Sequence, residues 1–270
     1  MGIQDILSTR RNNSASAALP DLIAHEDWQL VLMECKMWPK DASKWTVREG
    51  FFDGEHDSRV LPIHMAVAMQ CPPEVVHALV DCYPLGIHMR EEAFQRLPLH
   101  VACQDNAPIE TIEALIHHYP EATRAKDSIG RLPIHYACSH NAPSSVIEIL
   151  LREFPASAGC GDDNGWLPIH VACRRGVSLY VIERLLDCFP QSVDMATNKG
   201  STPVTCAKKG GDSQRHEDII EYLESYMKGK PPPTITPPML GKGDAGRCVP
   251  MGGMPASATL HHRNVHARGA

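Results

Sequence analysis

The sequence predicts an all-α solenoid of stacked helix-turn-helix units. Two short markers recur along the 270-residue chain with the same period, and this agreement is the main reason for the prediction. The first marker is the tetrapeptide Leu-Pro-Ile/Leu-His, and the second is an aromatic residue followed by proline. A third observation is an apolar stripe with helical spacing, which repeats between the two markers.

The tetrapeptide marker opens each unit. It occupies residues 61–64, 97–100, 132–135 and 167–170, and a diverged copy, Thr-Pro-Val-Thr, occupies 202–205. The successive spacings are 36, 35, 35 and 35 residues. Proline is favoured in the first turn of a helix, because the N–H that it lacks has no partner there. Each copy therefore predicts the start of a short first helix.

The aromatic-proline marker closes each unit. It occurs at Tyr83-Pro84, Tyr119-Pro120, Phe154-Pro155 and Phe189-Pro190. Upstream of it, apolar residues are spaced i, i+3 and i+4, which gives a second helix one face to bury against a neighbour. Proline cannot continue a helix, so each second helix is expected to end at the aromatic residue.

Composition divides the chain into four segments. Residues 61–228 are expected to hold four full repeats and a C-terminal capping unit, whose last helix at 216–227 has the polar side that the end of a solenoid requires. Residues 21–60 are expected to form a degenerate N-terminal half-repeat and a loop. Residues 1–20 and 229–270, the latter rich in Pro and Gly, are expected to be disordered.

The units resemble ankyrin repeats. An ankyrin repeat is a helix pair of about 33 residues that opens with Thr-Pro-Leu-His-x-Ala. Here Leu-Pro-Ile-His-Tyr-Ala follows a turn containing Asp127 and Gly130, and Leu-Pro-Ile-His-Val-Ala follows one containing Asp162 and Gly165. The longer period and the aromatic-proline marker resemble the repeat variety common in diatoms and other stramenopiles. The resemblance implies a non-enzymatic scaffold that binds a protein partner and uses no cofactor.

Charge and composition restrict the partners further. The formal net charge is −6; residues 229–270 contribute +4 and residues 1–20 contribute +1, so that residues 21–228 carry −11. Such an acidic body repels phosphate backbones, so we expect no nucleic-acid partner. With no secretory signal and no run of about 18 apolar residues, we expect no membrane partner. A monomeric intracellular protein, cytoplasmic or nuclear, is expected, and ten cysteines fit a reducing compartment.

The resemblance also implies where a partner binds. In ankyrin-like stacks the turn tips and the exposed side of the first helices form a concave surface. Tryptophan and arginine are the residues most enriched among interface hot spots. We therefore expect the contact residues just before the tetrapeptide and just after the first-helix motif. They are Arg96, Arg131, Trp166, Arg174 and Arg175.

Histidine is the most regular polar residue of the repeat. The resemblance implies that the motif histidines tie the helix to the turn by hydrogen bonds; they are His64, His100, His135 and His170. In three units Cys follows the histidine at i+3, and zinc uses both residue types. A metal- or redox-responsive protein is therefore one alternative, although each unit supplies only two ligands and no metal site is expected. The other alternative is the regulatory arm of an enzyme complex.

Overall fold

The computed structural model describes residues 19–52, 54–211 and 213–229. Within these ranges the chain forms twelve α-helices and one two-stranded hairpin, so the prediction of an all-α repeat solenoid is confirmed. The disorder expected at the two ends falls mostly outside the described residues. At the first boundary the expectation needs a correction, because residues 19 and 20 already belong to a helix.

The helices alternate along the chain as the first and second members of six pairs. The first helices are α1 (Leu19–Ala24), α3 (Pro62–Ala68), α5 (Pro98–Gln104), α7 (Pro133–Ser139), α9 (Pro168–Arg175) and α11 (Pro203–Gly210). The second helices are α2 (Trp28–Met37), α4 (Pro73–Cys82), α6 (Ile109–His118), α8 (Ser144–Glu153), α10 (Leu179–Cys188) and α12 (Gln214–Met227). Each first helix packs on the next first helix, and each second helix packs on the next second helix.

Apolar side chains fill the space between the two rows of helices. In α8, Ile147, Leu150 and Leu151 are each at most 3% exposed. The first helices are buried almost along their whole length, and in α5 all seven residues are buried. Full burial of a Leu or Ile side chain stabilises a fold by about 1.5–3 kcal/mol. Because each pair hides its apolar face on its neighbours, the stack is stabilised mainly by contacts between units.

In the four full repeats the aromatic-proline marker ends the second helix and begins a short 3₁₀ turn. The turns that follow the four predicted markers are Pro84–His88, Pro120–Arg124, Pro155–Gly159 and Pro190–Val193. The proline ring fixes φ and supplies no N–H, so the α-helical ladder stops there and a tighter turn takes over.

The N-terminal region differs from the sequence expectation in two respects. The expected half-repeat is a complete helix pair, because α1 packs on α3 while α2 packs on α4. The expected loop is an antiparallel hairpin of β1 (Thr46–Phe52) and β2 (His56–Val60). β1 contains Thr46, Val47, Phe51 and Phe52, and β-branched and aromatic residues favour extended backbone. The side chains of Phe52 and Val60 are buried, which anchors the hairpin to the stack.

The hairpin is a longer form of the turn tip that precedes each later first helix. The N–H of Glu92, in the next tip, donates to the carbonyl of Arg59 in β2 at 3.2 Å. The later tips are joined by the same kind of bond, from Ser128 to Phe94 (2.9 Å), Asp163 to Ile129 (3.1 Å) and Asn198 to Asn164 (3.0 Å). The insertion therefore extends a ladder of tips that runs beside the first helices.

Candidate functional site

A buried carboxylate fixes the shape of each central tip. Asp127 Oδ1 accepts the N–H groups of Ile129 at 3.0 Å and Arg131 at 2.8 Å. Its Oδ2 accepts the hydroxyl of Tyr136 at 2.5 Å. Because one side chain holds both ends of the turn, the backbone from which Arg131 projects is rigid.

Equivalent carboxylates shape the neighbouring tips. Asp162 Oδ1 accepts the N–H of Trp166 at 2.9 Å. In the preceding tip, Glu91 Oε1 accepts the N–H of Phe94 at 2.8 Å and that of Arg96 at 2.9 Å. Glu91 and Arg96 are five residues apart, whereas the aspartates hold a residue four positions away. The tip between the first two full units has one additional residue, because the period there is 36. The longer side chain of glutamate reaches across this longer tip.

Three motif histidines join the start of a helix to the following tip. A backbone N–H can only donate, so Nδ1 is the acceptor and Nε2 carries the hydrogen. The Nδ1 atom of His100 accepts the backbone N–H of Leu97 at 3.2 Å. The equivalent bonds run from Leu132 to His135 and from Leu167 to His170, each at 3.1 Å. The Nε2 atom of His100 donates to the carbonyl oxygen of Ala125 at 2.9 Å. In the same way His135 donates to Trp166 at 3.0 Å, and His170 donates to Met195 at 2.9 Å.

His64 makes the same first contact with longer geometry. Its Nδ1 accepts the N–H of Leu61 at 3.4 Å. Its Nε2 is buried and makes no hydrogen bond of ordinary geometry with the described residues. The backbone groups of Met89 and Arg96, which match the partners of His100 by the period, nevertheless lie near enough to raise its pKa somewhat against the effect of burial.

Burial governs the ionisation of these histidines. Desolvation lowers the pKa of His64, His100 and His135 to about 4, and it also lowers that of His170. The imidazoles are therefore neutral near pH 7 and act as helix caps.

The cysteines three residues after these histidines are also buried. Cys103, Cys138 and Cys173 are at most 1% exposed, and burial raises the pKa of each thiol, that of Cys138 to about 12. Such groups stay protonated and react slowly. Metal binding by the preceding histidines would also break their capping bonds. Among the described residues no group of three or more His, Cys, Asp or Glu side chains could hold a metal ion.

Four of the five expected contact residues reach the surface. Arg174 and Arg175 are exposed at the end of α9, and Trp166 is half-buried. The side chain of Arg131 is 32% exposed, and its Nε lies 3.3 Å from Asp162 Oδ2. The tips therefore present Arg131 and Trp166, and a helix end presents the other two.

Arg96 is not a surface residue, which corrects the sequence expectation. It is 7% exposed, and its guanidinium carbon lies 4.5 Å from the ring centre of Phe52, 4.3 Å from that of Phe94 and 4.6 Å from that of Tyr136. Its Nη1 donates to the side-chain oxygen of Gln104. The hairpin supplies Phe52, so the insertion covers an arginine that would otherwise face solvent.

The tips and the helix ends face the same side of each unit. Arg96 contacts Gln104, and Lys209 Nζ donates to Ser201 Oγ at 3.3 Å. Both pairs join a residue before the tetrapeptide to the residue eight positions later. By the period, Trp166 and Arg174 occupy the same two positions in one of the two units between them, so their side chains belong to one surface.

The first helices contribute less surface than expected. Gln104, which occupies the position of Arg174 two units earlier, is buried with the rest of α5, and α7 and α9 become exposed only near their C-terminal ends. Lys209 is exposed and occupies the same register position as Arg174, although it was not among the expected contact residues. The 35-residue period alone could have identified it.

Comparison with known proteins gives one family match. Residues 115–172, from α6 to α9, match the family model of ankyrin repeats in many copies. Comparison with curated proteins finds no match. Within the described part of the chain, every helix is too short or too polar to cross a bilayer.

Proposed function

Because the chain is an ankyrin repeat protein, we propose that it is a scaffold or adaptor that holds one protein partner on its tips and first-helix ends. Ankyrin repeats are protein–protein interaction modules, and the family is typically non-enzymatic. The proposal is therefore specific in the surface that it assigns rather than in the class of function.

One observation carries this assignment. Arg131, Trp166, Arg174 and Arg175 project from a rigid backbone on one side of adjacent units, and none of them is fully buried. Tip carboxylates and histidine caps fix the backbone on which they stand. A preformed surface with tryptophan and arginine lowers the entropy cost of binding and offers typical anchors.

The same proposal includes the setting of the protein. We propose a monomer in the cytoplasm or nucleus that does not bind nucleic acid, because residues 21–228 carry −11. Six of the described cysteines are buried in the stack and form no disulfide, as expected for reduced thiols.

Affinity purification of the full chain tests the proposed surface. The test variant is Trp166→Ala with Arg131→Ala, and the matched control is Trp38→Ala with Arg152→Ala. The control removes the same two residue types from exposed positions, one just after α2 and one on α8. We expect a partner that the wild type and the control retain and the test variant loses.

Two results would contradict the assignment. Full retention of the partner by the test variant would place the binding surface elsewhere. Equal loss in both variants would point to non-specific capture. Recovery of an enzyme as the specific partner would identify the chain as a regulatory arm of that enzyme, with the same surface in use.

A further inference from the structure

The C-terminal half of the proposed surface is basic on an otherwise acidic body. α9 ends in Arg174 and Arg175, and α11 carries Lys208 and Lys209 in its last turn. Lys208 Nζ lies 3.6 Å from Glu224 Oε1. Arg174, Arg175 and Lys209 have no carboxylate partner among the described residues, and we call these three residues the basic strip.

Helix stability does not account for the basic strip. Cations in the last turn of a helix interact favourably with its dipole. Yet α3, α5 and α7 have no basic residue in the last turn, although they occupy the same place in the stack. Two adjacent units thus carry cations in the last turn of the first helix, whereas the three preceding units have no basic residue at that place.

The strip is continuous from one unit to the next. Arg175 Nη2 donates to Ser139 Oγ of the preceding unit at 3.4 Å, so it leans toward α7. Arg174 and Lys209 both lie close enough to Cys206 to lower the pKa of its thiol, which is otherwise raised by burial. α9 packs on α11, and the two cations occupy the same register position on these neighbouring helices, with Trp166 at the far end of α9.

The capping unit holds the backbone under the strip in place. The Nε2 atom of His216, at the start of α12, donates to the carbonyl of Arg174 at 3.3 Å. A Cβ at Gly176 would lie 2.8 Å from the His216 ring, and one at Gly210 would overlap it. Glycine at these two positions lets the ring fill the gap between α9 and α11.

We propose, building on the proposed scaffold function, that the basic strip binds an acidic, extended segment of the protein partner, rich in Asp or Glu. The charge of the strip is complementary to such a segment and opposite to that of the body around it. Neighbouring helices lie about 8–10 Å apart, and an extended chain advances about 3.3 Å per residue. Acidic residues three positions apart therefore match the cations of adjacent units.

The acidic body favours a short peptide over a nucleic acid. A nucleic acid brings a dense, continuous array of charges that extends past the strip onto acidic surface. A short acidic peptide confines its charge to the strip, and at physiological ionic strength charges farther away than about 8 Å are largely screened.

Fluorescence anisotropy with a defined peptide tests this inference on the full chain. The probe is a fluorescein-labelled peptide of about four Glu-Ser-Ser repeats, matched to three residues per unit, and the reference probe has Gln in place of Glu. We expect saturable binding of the Glu peptide in about 0.1 M salt, at least about tenfold tighter than the Gln peptide. Equal binding of both peptides would overturn the inference.

Two matched variants locate the binding. Arg174→Glu with Lys209→Glu is expected to weaken binding of the Glu peptide by at least about tenfold. Lys36→Glu with Lys40→Glu makes the same change in net charge at exposed positions near the other end of the stack, and it should leave binding unchanged. Arg174→Gln with Lys209→Gln repeats the test without charge reversal, and circular dichroism checks that each variant is folded.

The remaining outcomes distinguish other occupants and separate the two proposals. Binding of single-stranded oligothymidylate as tight as that of the Glu peptide would overturn the inference in favour of a general polyanion site. Self-association that Arg174→Glu with Lys209→Glu abolishes, without peptide binding, would make a second copy the occupant. A purified partner that needs Trp166 and Arg131 but tolerates the strip variants would overturn only this inference.

Discussion

Acidification should weaken the fold through the buried histidines. In the folded state the pKa of His64, His100 and His135 is about 4, whereas the ordinary value is about 6.5. The unfolded chain therefore binds more protons between these values, so stability is complete above pH 6.5 and falls as the pH decreases toward 4. Between about pH 7.5 and 5, each of these histidines removes about 2 kcal/mol from the free energy of unfolding.

A single substitution isolates one of these contributions. His135→Asn keeps an acceptor near the N–H of Leu132 but cannot titrate. At about pH 7.5 it should cost about 1–3 kcal/mol, because the Nε2 bond to the Trp166 carbonyl is lost. At about pH 5 this cost should shrink by about 2 kcal/mol, since the variant has no buried imidazole to protonate.

Urea unfolding followed by far-UV circular dichroism measures both quantities at each pH. The exposed His56→Asn variant is the control for the same change of residue type away from the helix caps. The comparison requires that the variants share the same dependence on urea, because repeat arrays can lose cooperativity. A difference between His135→Asn and the wild type that is independent of pH would refute the assignment of His135 as a buried neutral cap.

Three further tests concern the tips, the buried arginine and the thiols. The first two use the same unfolding assay, and the third uses thiol labelling. Gly130→Ala should destabilise by about 3 kcal/mol, since a Cβ there would lie 2.8 Å from the backbone nitrogen of Asp163. Gly200→Ala, with a similar φ of +73° but open space around it, should cost only about 1 kcal/mol; equal costs would show that the tips do not pack as described. Arg96→Ala should destabilise by about 3 kcal/mol, because it removes the guanidinium that packs against three rings and leaves buried Asp127 without its nearby cation. A loss of stability below about 1 kcal/mol would contradict the burial of Arg96. The six buried cysteines should react with Ellman's reagent only as the protein unfolds, and rapid labelling of all of them in the native protein would contradict their packing.

The sequence was sufficient for the four full helix pairs because two independent markers specify each of these units. Proline in the tetrapeptide sets the first turn of each first helix, and proline after the aromatic residue stops each second helix. Both effects are local consequences of one ring, so they survive in any context. The apolar stripe between the markers then leaves one way to bury each second helix.

The hairpin was missed although a local signal was present. Asp53-Gly54 is a frequent hairpin turn pair, and Phe51 and Phe52 before it favour extended backbone. The expected loop followed from the repeat period alone, which this stretch interrupts. Strand pairing would have followed from treating the insertion as a longer copy of the tips.

The position of Arg96 could not be predicted from the repeat because another unit decides it. By the period, Arg96 is equivalent to Arg131 and Trp166, which reach the surface. It is buried because Phe52, at the end of β1, closes over its guanidinium together with Phe94 and Tyr136. A periodic sequence thus determines which residues share a register, whereas burial within a register depends on what the neighbouring unit inserts. The same reasoning favours the C-terminal units as the binding surface, since no insertion among the described residues covers Trp166 or Arg174.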